Sequence, residues 1–454
     1  MDQTTELLSS FTCGLEYEDL SPRVVHQIKR TVVDTLGCAV GGFHSEPATI
    51  ARNLAGAVTS STPSRILGTQ LYSSPDMAGF ANGVMVRYLD CNDSYFSPGG
   101  GHPSDMIPAA LALGGPTESD GRSVITAIAL AYEVFCRLSD EVVTGEFGWD
   151  QGMFSIIGAT CAAGKLLGLN QERMGHAISL AIAPNLPLGV TRTGELSMWK
   201  GCATATATRA GIFAAQLAQQ GMTGPKEPFE GRRGLWEQAL GNSVQIPSFE
   251  KSKGSDAFRI LETTFKAYPA QIHTQCPTGI ALELYPEISS ADIASVLIQS
   301  YNSAVSSPTT EPQKWDPKTR ETADHSIPYL VAAALQDGQV DANTFNEERI
   351  HDPALRTLMA MFTMEEVPEF TQKFPEEYNC RIVITDRSGK VYEAQAPYHK
   401  GHRLNPMDDG EVEAKFRGLA ADVVSTKQCD RVLEQVWGLD EAQNLDSLFD
   451  SMVI

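Results

Sequence analysis

Positive charge is scarce in this 454-residue chain: 35 Lys plus Arg stand against 56 Asp plus Glu, a formal charge of −21. A body so acidic cannot neutralise a run of phosphates, and no basic tail or stripe interrupts it, so nucleic acid and anionic membrane are excluded as partners. Long apolar runs are absent too. The longest, residues 124–136, contains Glu133 and falls short of the roughly 20 residues that cross a bilayer. No GxGxxG or GxxxxGK[ST] loop precedes a helix and no GxSxG elbow is present, which argues against nucleotide cofactors and hydrolase chemistry. The nine cysteines include no CxxC pair. Cys38, Cys136, Cys161 and Cys202 sit among small apolar residues, as buried reduced thiols do. The start, Met1-Asp2-Gln3 followed by Glu6, Glu16 and Glu18, is unlike a targeting peptide, and the expected location is cytoplasmic.

What is present is 42% hydrophobic residues with only 20% charged, enough to build large cores. The first half is helical in pattern. Ser21 is a candidate N-cap with Pro22 at the first helical position, and Val25, Ile28, Val32 and Leu36 recur at helical spacing. Residues 124–138, 154–167 and 203–220 are rich in Ala and Gly, which lets helices approach closely. After about Phe265 the texture changes. Residues 294–300 read as a strand, 381–385 and 391–394 as a hairpin around Asp386-Arg387-Ser388-Gly389-Lys390, and 326–335 and 354–361 as helices. The tail from Asp408 is helical again, and 60–64 and 306–312 read as surface loops. The expected fold is mainly α, with an α+β section at 265–405 inserted into a helical unit of 1–264 and 406–454.

The densest polar cluster runs from Arg87 to Asp105: Asp90, Asn92, Asp93 and Ser94, then Gly99, Gly100 and Gly101, then His102. Such a loop, given freedom by its glycines, can place an acid and a base on opposite sides of a small substrate. The competing explanation is an Asx-rich turn with solvated carboxylates. Metal ligation ranks low, because the spacing matches neither an EF-hand loop nor HExxH. Lys200 lies among Met198, Trp199 and Cys202 just before a helix, where its charge opposes the helix dipole; it is either a surface lysine or one that faces an anion. In Lys266 to Cys276, His273 and Gln275 are two apart and on an extended strand would point the same way. Asp324-His325 and Asp150-Gln151 are weaker candidates, as readily explained by capping and packing.

Taken together, these segments resemble the MmgE/PrpD family, which includes 2-methylcitrate dehydratase and cis-aconitate decarboxylase. The resemblance is carried by LSPRVVHQIKRTVVDTLGCAVGG, NGVMVRYLDCNDSYFSPGGGHPSD, LSMWKGCATATATRAG, KAYPAQIHTQ and GHRLNPMDDGEVEAKFR, and so spans nearly the whole chain. It implies a helical domain with an α+β lid, a homodimer, and a site between domain and lid with neither metal nor organic cofactor. By position it puts the catalytic groups on Asp90, Ser94, His102 and Lys200. Arg87, Asn92, Asp93, Gln151, Lys266, His273 and Gln275 are then the candidate substrate contacts. The partner so implied is a small anionic di- or tricarboxylate. The leading expectation is a hydro-lyase of the 2-methylcitrate dehydratase kind, favoured over decarboxylation by the His273-x-Gln275 pattern. Isomerisation of a substituted succinate and a catalytically idle dimer are the further alternatives.

Overall fold

The computed structural model describes residues 1–249, 253–306 and 311–454. Most of the expected helices form where the pattern places them. Pro22–Gly41 is capped by Ser21, whose hydroxyl accepts from the Val24 amide, and Gly121–Glu141, Gly152–Leu166 and Ala203–Gln219 follow. Small residues bring these helices together. A Cβ on Gly83 would lie 2.9 Å from the Ala205 methyl carbon, and one on Gly211 would lie 2.8 Å from the Thr160 amide nitrogen. The tail returns to this bundle. Helix Asp409–Ala420 packs on Pro22–Gly41, with Phe416 buried so tightly over Gly37 that an added Cβ would be 3.1 Å from the Phe416 Cα. Gly at mid-helix costs about 1 kcal/mol relative to Ala, and burying the Phe416 ring, about 1.5–3 kcal/mol, more than offsets it.

One hydrophobic core therefore joins residues between 8 and 265 with residues between 407 and 452. A second core lies between residues 270 and 384. There the strand order is Phe362–Glu366, Ile293–Ser300, Cys380–Asp386, Val391–Ala396, the first pair parallel and the others antiparallel. The hairpin forms as expected, with Thr385 opposite Val391 and the Asp386 carboxylate accepting from the Ser388 and Lys390 amides. The parallel pair needs a crossover, which helices Ile327–Asp337 and Pro353–Met359 supply. Cys380, Ile382 and Ile384 alternate inward, so the sheet buries one face.

Four details differ from expectation. The stretch read as helix 354–361 ends at Met359 and passes into the strand Phe362–Glu366, whose polar residues gave no strand alternation. His273 and Gln275 are in the helix Ile272–Leu284, not on a strand; the Gln271 side chain caps it by accepting from the His273 amide, despite Pro277 within it. Gly99, Gly100 and Gly101 are not a flexible hinge. Residues 100–101 pair with Tyr95–Phe96, and a Cβ on Gly99 would lie 2.3 Å from the Val142 carbonyl oxygen. Finally, Ser64 belongs to a short ladder with Ser73 rather than to a loop, and in the second expected loop residues 307–310 lie outside the described ones. All nine cysteines are free thiols, and Cys38, Cys136, Cys161 and Cys202 are buried. Among the described residues no helix is long and apolar enough to cross a membrane.

Candidate active site

Helix Pro75–Tyr88 ends at Tyr88, and two residues later Asp90 takes a left-handed backbone conformation, φ +51°. Aspartate tolerates this region better than most residues, and the turn points its carboxylate back over the helix end. There it meets three cations. Arg87 Nη1 donates to Asp90 Oδ1, Lys266 Nζ donates to the same oxygen at 2.6 Å, and Lys200 Nζ lies 2.9 Å from Oδ2. Lys200 in turn donates to both oxygens of Asp324, at 3.1 and 2.9 Å. Arg87 Nε faces Asp105 Oδ2 at 3.8 Å. Three buried cations thus balance three buried carboxylates. Burial alone would raise the Asp90 carboxyl, but Arg87, then Lys200, Lys266 and His325, hold it well below the usual carboxylate range. Burial lowers the Lys266 ammonium, and Asp90 counters part of that.

Two imidazoles flank this carboxylate. His102 Nε2 is 3.8 Å from Asp90 Oδ1, and His325 Nε2 is 3.7 Å from Oδ2. His102 Nδ1 lies 2.7 Å from the Asp93 carbonyl oxygen and 3.1 Å from the Ser94 hydroxyl. A carbonyl can only accept, so Nδ1 carries the proton and Nε2 presents a lone pair. Burial, followed by the Arg87 and Lys266 charges, keeps His102 neutral to well below its usual range. His325 Nδ1 donates to Asp324 Oδ1 at 2.5 Å, and burial together with Lys200 lowers its pKa to about 4. His273 is likewise lowered to about 4, chiefly by burial. Its Nδ1 is 2.6 Å from the Tyr301 hydroxyl, and Phe96 and Phe374 pack around its ring.

A cavity of about 690 Å³ opens onto these groups. Arg87, Asp90, His102, Gln151, His273 and His325 line it, from both cores of the molecule. The remaining expected contacts stand behind the wall. Asn92 donates to Ser104 Oγ and to Asp105 Oδ1, both at 2.8 Å. The Asp93 carboxylate accepts from the Ser104 amide and the Tyr132 hydroxyl, and burial pushes it up to about 7. Ser94 exchanges backbone hydrogen bonds with Thr264, both 2.8 Å, which positions the segment carrying Lys266. Lys200 and Lys266 are fully buried beneath Asp90. Gln275 does not face the cavity. Helical residues two apart diverge, and its carboxamide is consumed by the Tyr268 amide and the Tyr268 and Ala270 carbonyls.

Sequence reasoning set aside Asp324-His325 and did not single out Arg192, which lines the cavity and pairs with Asp150 at 2.6 Å. The adjacent Asp-His pair was the available signal for the first; a lone arginine gave none for the second. Asp90, Asp324 and His325 offer three ligand atoms within 4.8 Å of one another, a geometry open to a metal ion. The Lys200 ammonium already sits between the two carboxylates, so an ion there would have to displace it.

The sequence is 24% identical over 458 residues to the human (Homo sapiens) cis-aconitate decarboxylase, covering 98% of this chain and 93% of that one. It is 26% identical over 451 residues to the 2-methylcitrate dehydratase of Escherichia coli K12, covering 92% and 91%. To the 2-methylcitrate dehydratase-like protein oryR of Aspergillus oryzae it is 25% identical over 467 residues, covering 96% and 92%. The profile of the MmgE/PrpD N-terminal domain matches residues 6–246 and that of the MmgE/PrpD C-terminal domain residues 268–439. The chain belongs to the MmgE/PrpD family.

Proposed function

We propose that the protein is a lyase needing no cofactor, which eliminates water from a small polycarboxylic hydroxy acid, with conversion of 2-methylcitrate to 2-methylaconitate as the leading reaction. The observation that carries the proposal is the pair of imidazoles, His102 and His325, set on either side of an ionised Asp90 at the cavity wall. Elimination beside a carboxylate needs a base for the Cα proton and an acid for the departing hydroxyl. His102, neutral with its Nε2 lone pair outward, suits the base. Asp90 does not, since three cations stabilise its charge and weaken its basicity.

His325 suits the acid. Burial and the Lys200 charge favour its neutral form, but an entering polyanion favours the protonated one, and Asp324 on Nδ1 stabilises the imidazolium. The Cα proton then passes to His102 Nε2, the C–O bond breaks, and the His325 Nε2 proton leaves with the hydroxyl as water. Asp90, between the two rings, is placed to hold each imidazolium as it forms. Phe96, Ile272 and Phe374 give the cavity an apolar stretch able to accept a methyl substituent. The names of the relatives from Escherichia coli and Aspergillus oryzae support the same reaction.

The test is a thermal-shift screen over citrate, 2-methylcitrate, cis-aconitate and substituted succinates, followed by NMR of the hits in D₂O. The expected result is water elimination from 2-methylcitrate. Itaconate and CO₂ from cis-aconitate would reassign the site to decarboxylation, and deuterium wash-in without a new product to isomerisation. No rise in Tm with any acid at millimolar concentration would indicate a non-catalytic protein.

A further inference from the structure

A polyanion entering the cavity meets little unspent positive charge. Lys200 and Lys266 are buried behind Asp90, with side-chain exposures of 1% and 0%, and Arg87, also at 1%, is tied to Asp90 and Asp105. Among the described residues lining the cavity, the other cation is Arg192, whose side chain is 24% exposed. Its position is built. The Asp150 amide bonds to the Pro187 carbonyl and Trp149 bridges Leu188, which joins the two loops that carry the pair. Asp150, fully buried, accepts from the Gly152 amide at 3.0 Å and holds Arg192 Nε at 2.6 Å and Nη2 at 3.4 Å. Arg192 Nη1 reaches the Lys200 carbonyl at 3.5 Å.

A guanidinium has five N–H groups, and these contacts occupy three. Next to Asp150 in sequence, and on the same cavity wall as Arg192, the Gln151 Nε2 is buried without a hydrogen-bond partner. An unsatisfied buried amide costs about 1–3 kcal/mol, which a bound acceptor would recover. Gly101 makes room for this carboxamide, since a Cβ there would stand 2.0 Å from Gln151 Oε1.

We infer that Arg192, clamped by Asp150, and the Gln151 carboxamide form a carboxylate-binding subsite that selects polycarboxylates and holds a substrate carboxylate while the Cα proton and the hydroxyl face the His102–His325 pair. The inference deepens the polycarboxylate-lyase reading and rests on it. Arg192 is a specificity-determining group, and Asp150 positions it.

The test is the affinity of the full chain for tricarballylate (propane-1,2,3-tricarboxylate), which has no hydroxyl to eliminate, in the wild type and in Arg192→Gln, Asp150→Asn and Gln151→Leu. Loss of a charged hydrogen-bond donor predicts about a 10- to 100-fold weaker Kd for Arg192→Gln, and about 10-fold for Gln151→Leu. Asp150→Asn keeps a carboxamide oxygen that can still accept from the Gly152 amide and from Arg192 and so hold it in place, but no longer neutralises the guanidinium, so it binds tricarballylate as well as the wild type or better, while its Tm falls as that of Arg192→Gln does. Equal weakening in Arg192→Gln and Asp150→Asn would reduce the pair to a structural one and overturn the inference, as would wild-type affinity in Arg192→Gln. No binding of tricarballylate by the wild type overturns it together with the polycarboxylate reading. Binding that follows the expected pattern, with no hydroxy acid turned over, leaves the subsite standing and removes the lyase reading alone.

Discussion

The two cores bring different things to the cavity. The segment 87–105 delivers Asp90, Asn92, Asp93, Ser94, His102 and Asp105 as one contiguous run, buried and hydrogen-bonded within itself, with Arg87 answering both Asp90 and Asp105. The second core contributes isolated groups, His273 at the start of the helix Ile272–Leu284 and Asp324-His325 just before the helix Ile327–Asp337. A contiguous run can be read from sequence, because local geometry settles its neighbours. Isolated groups acquire meaning only through contacts such as Lys200 with Asp324, 124 residues apart.

The sharpest way to break this comparison is to remove its pivot. Asp90→Asn leaves Arg87, Lys200 and Lys266 buried without their shared anion, a loss on the order of 3–5 kcal/mol when one partner of a buried pair is removed. We expect a large fall in Tm together with loss of turnover; a Tm within a degree or two of wild type would mean that the cations find other partners. Next come the imidazoles. His102→Gln and His325→Gln are each expected to lower kcat by about 10²–10⁴-fold, the usual scale for one acid or base. If His325→Gln kept full activity, the second core would only cover the site and the chemistry would belong to the first alone.

Asp324→Asn sharpens the comparison further, since it leaves Lys200 with Asp90 as its one carboxylate partner among the described residues and withdraws the anion behind His325. A loss of about 10-fold in kcat is expected, together with an alkaline limb in the kcat profile moved to lower pH as the His325 imidazolium weakens. An unshifted limb would detach His325 from the acid role.

The smallest effect is on stability against pH. His273, His325 and His399 are lowered to about 4 by burial, so between about 4 and 6.5 the unfolded chain binds more protons than the native one. Their contribution is complete above about 6.5 and is lost as pH falls towards 4. Asp93, raised to about 7, works in the opposite sense over its own range and offsets part of the loss. A Tm that drops by several degrees from pH 7 to pH 4.5 is expected, and His273→Phe should flatten that slope.

Much of the molecule was legible in advance, for identifiable reasons. Ser21-Pro22, the Ala-rich helices and the 386–390 turn carry their instructions locally, so they form where the pattern places them. The exclusion of polyanionic partners by the overall charge narrows to a balanced interior, where the carboxylates of the acidic composition serve as counterions to Arg87, Lys200 and Lys266. What the sequence did not disclose depends on packing. Pro277 and the β-branched Thr274 and Thr278 obscured a helix that the Gln271 cap and its buried face stabilise, and the two-residue spacing of His273 and Gln275 therefore meant divergence. Asp150 was noticed without its partner, because Arg192 lies 42 residues away and nothing local marks it.

The tail helix reaches further than its packing on Gly37. Lys415 pairs with Asp34 and donates to the carbonyl of Cys91, the residue after Asp90, at 2.6 Å. During synthesis, then, the residues of the central loop exist long before the brace that fixes them. The helical core can begin to collapse on the ribosome, but its Asp90 turn lacks this support until residue 415 has emerged. A chain stalled or clipped ahead of that point would hold nearly every group of the site and still lack the strut beneath it.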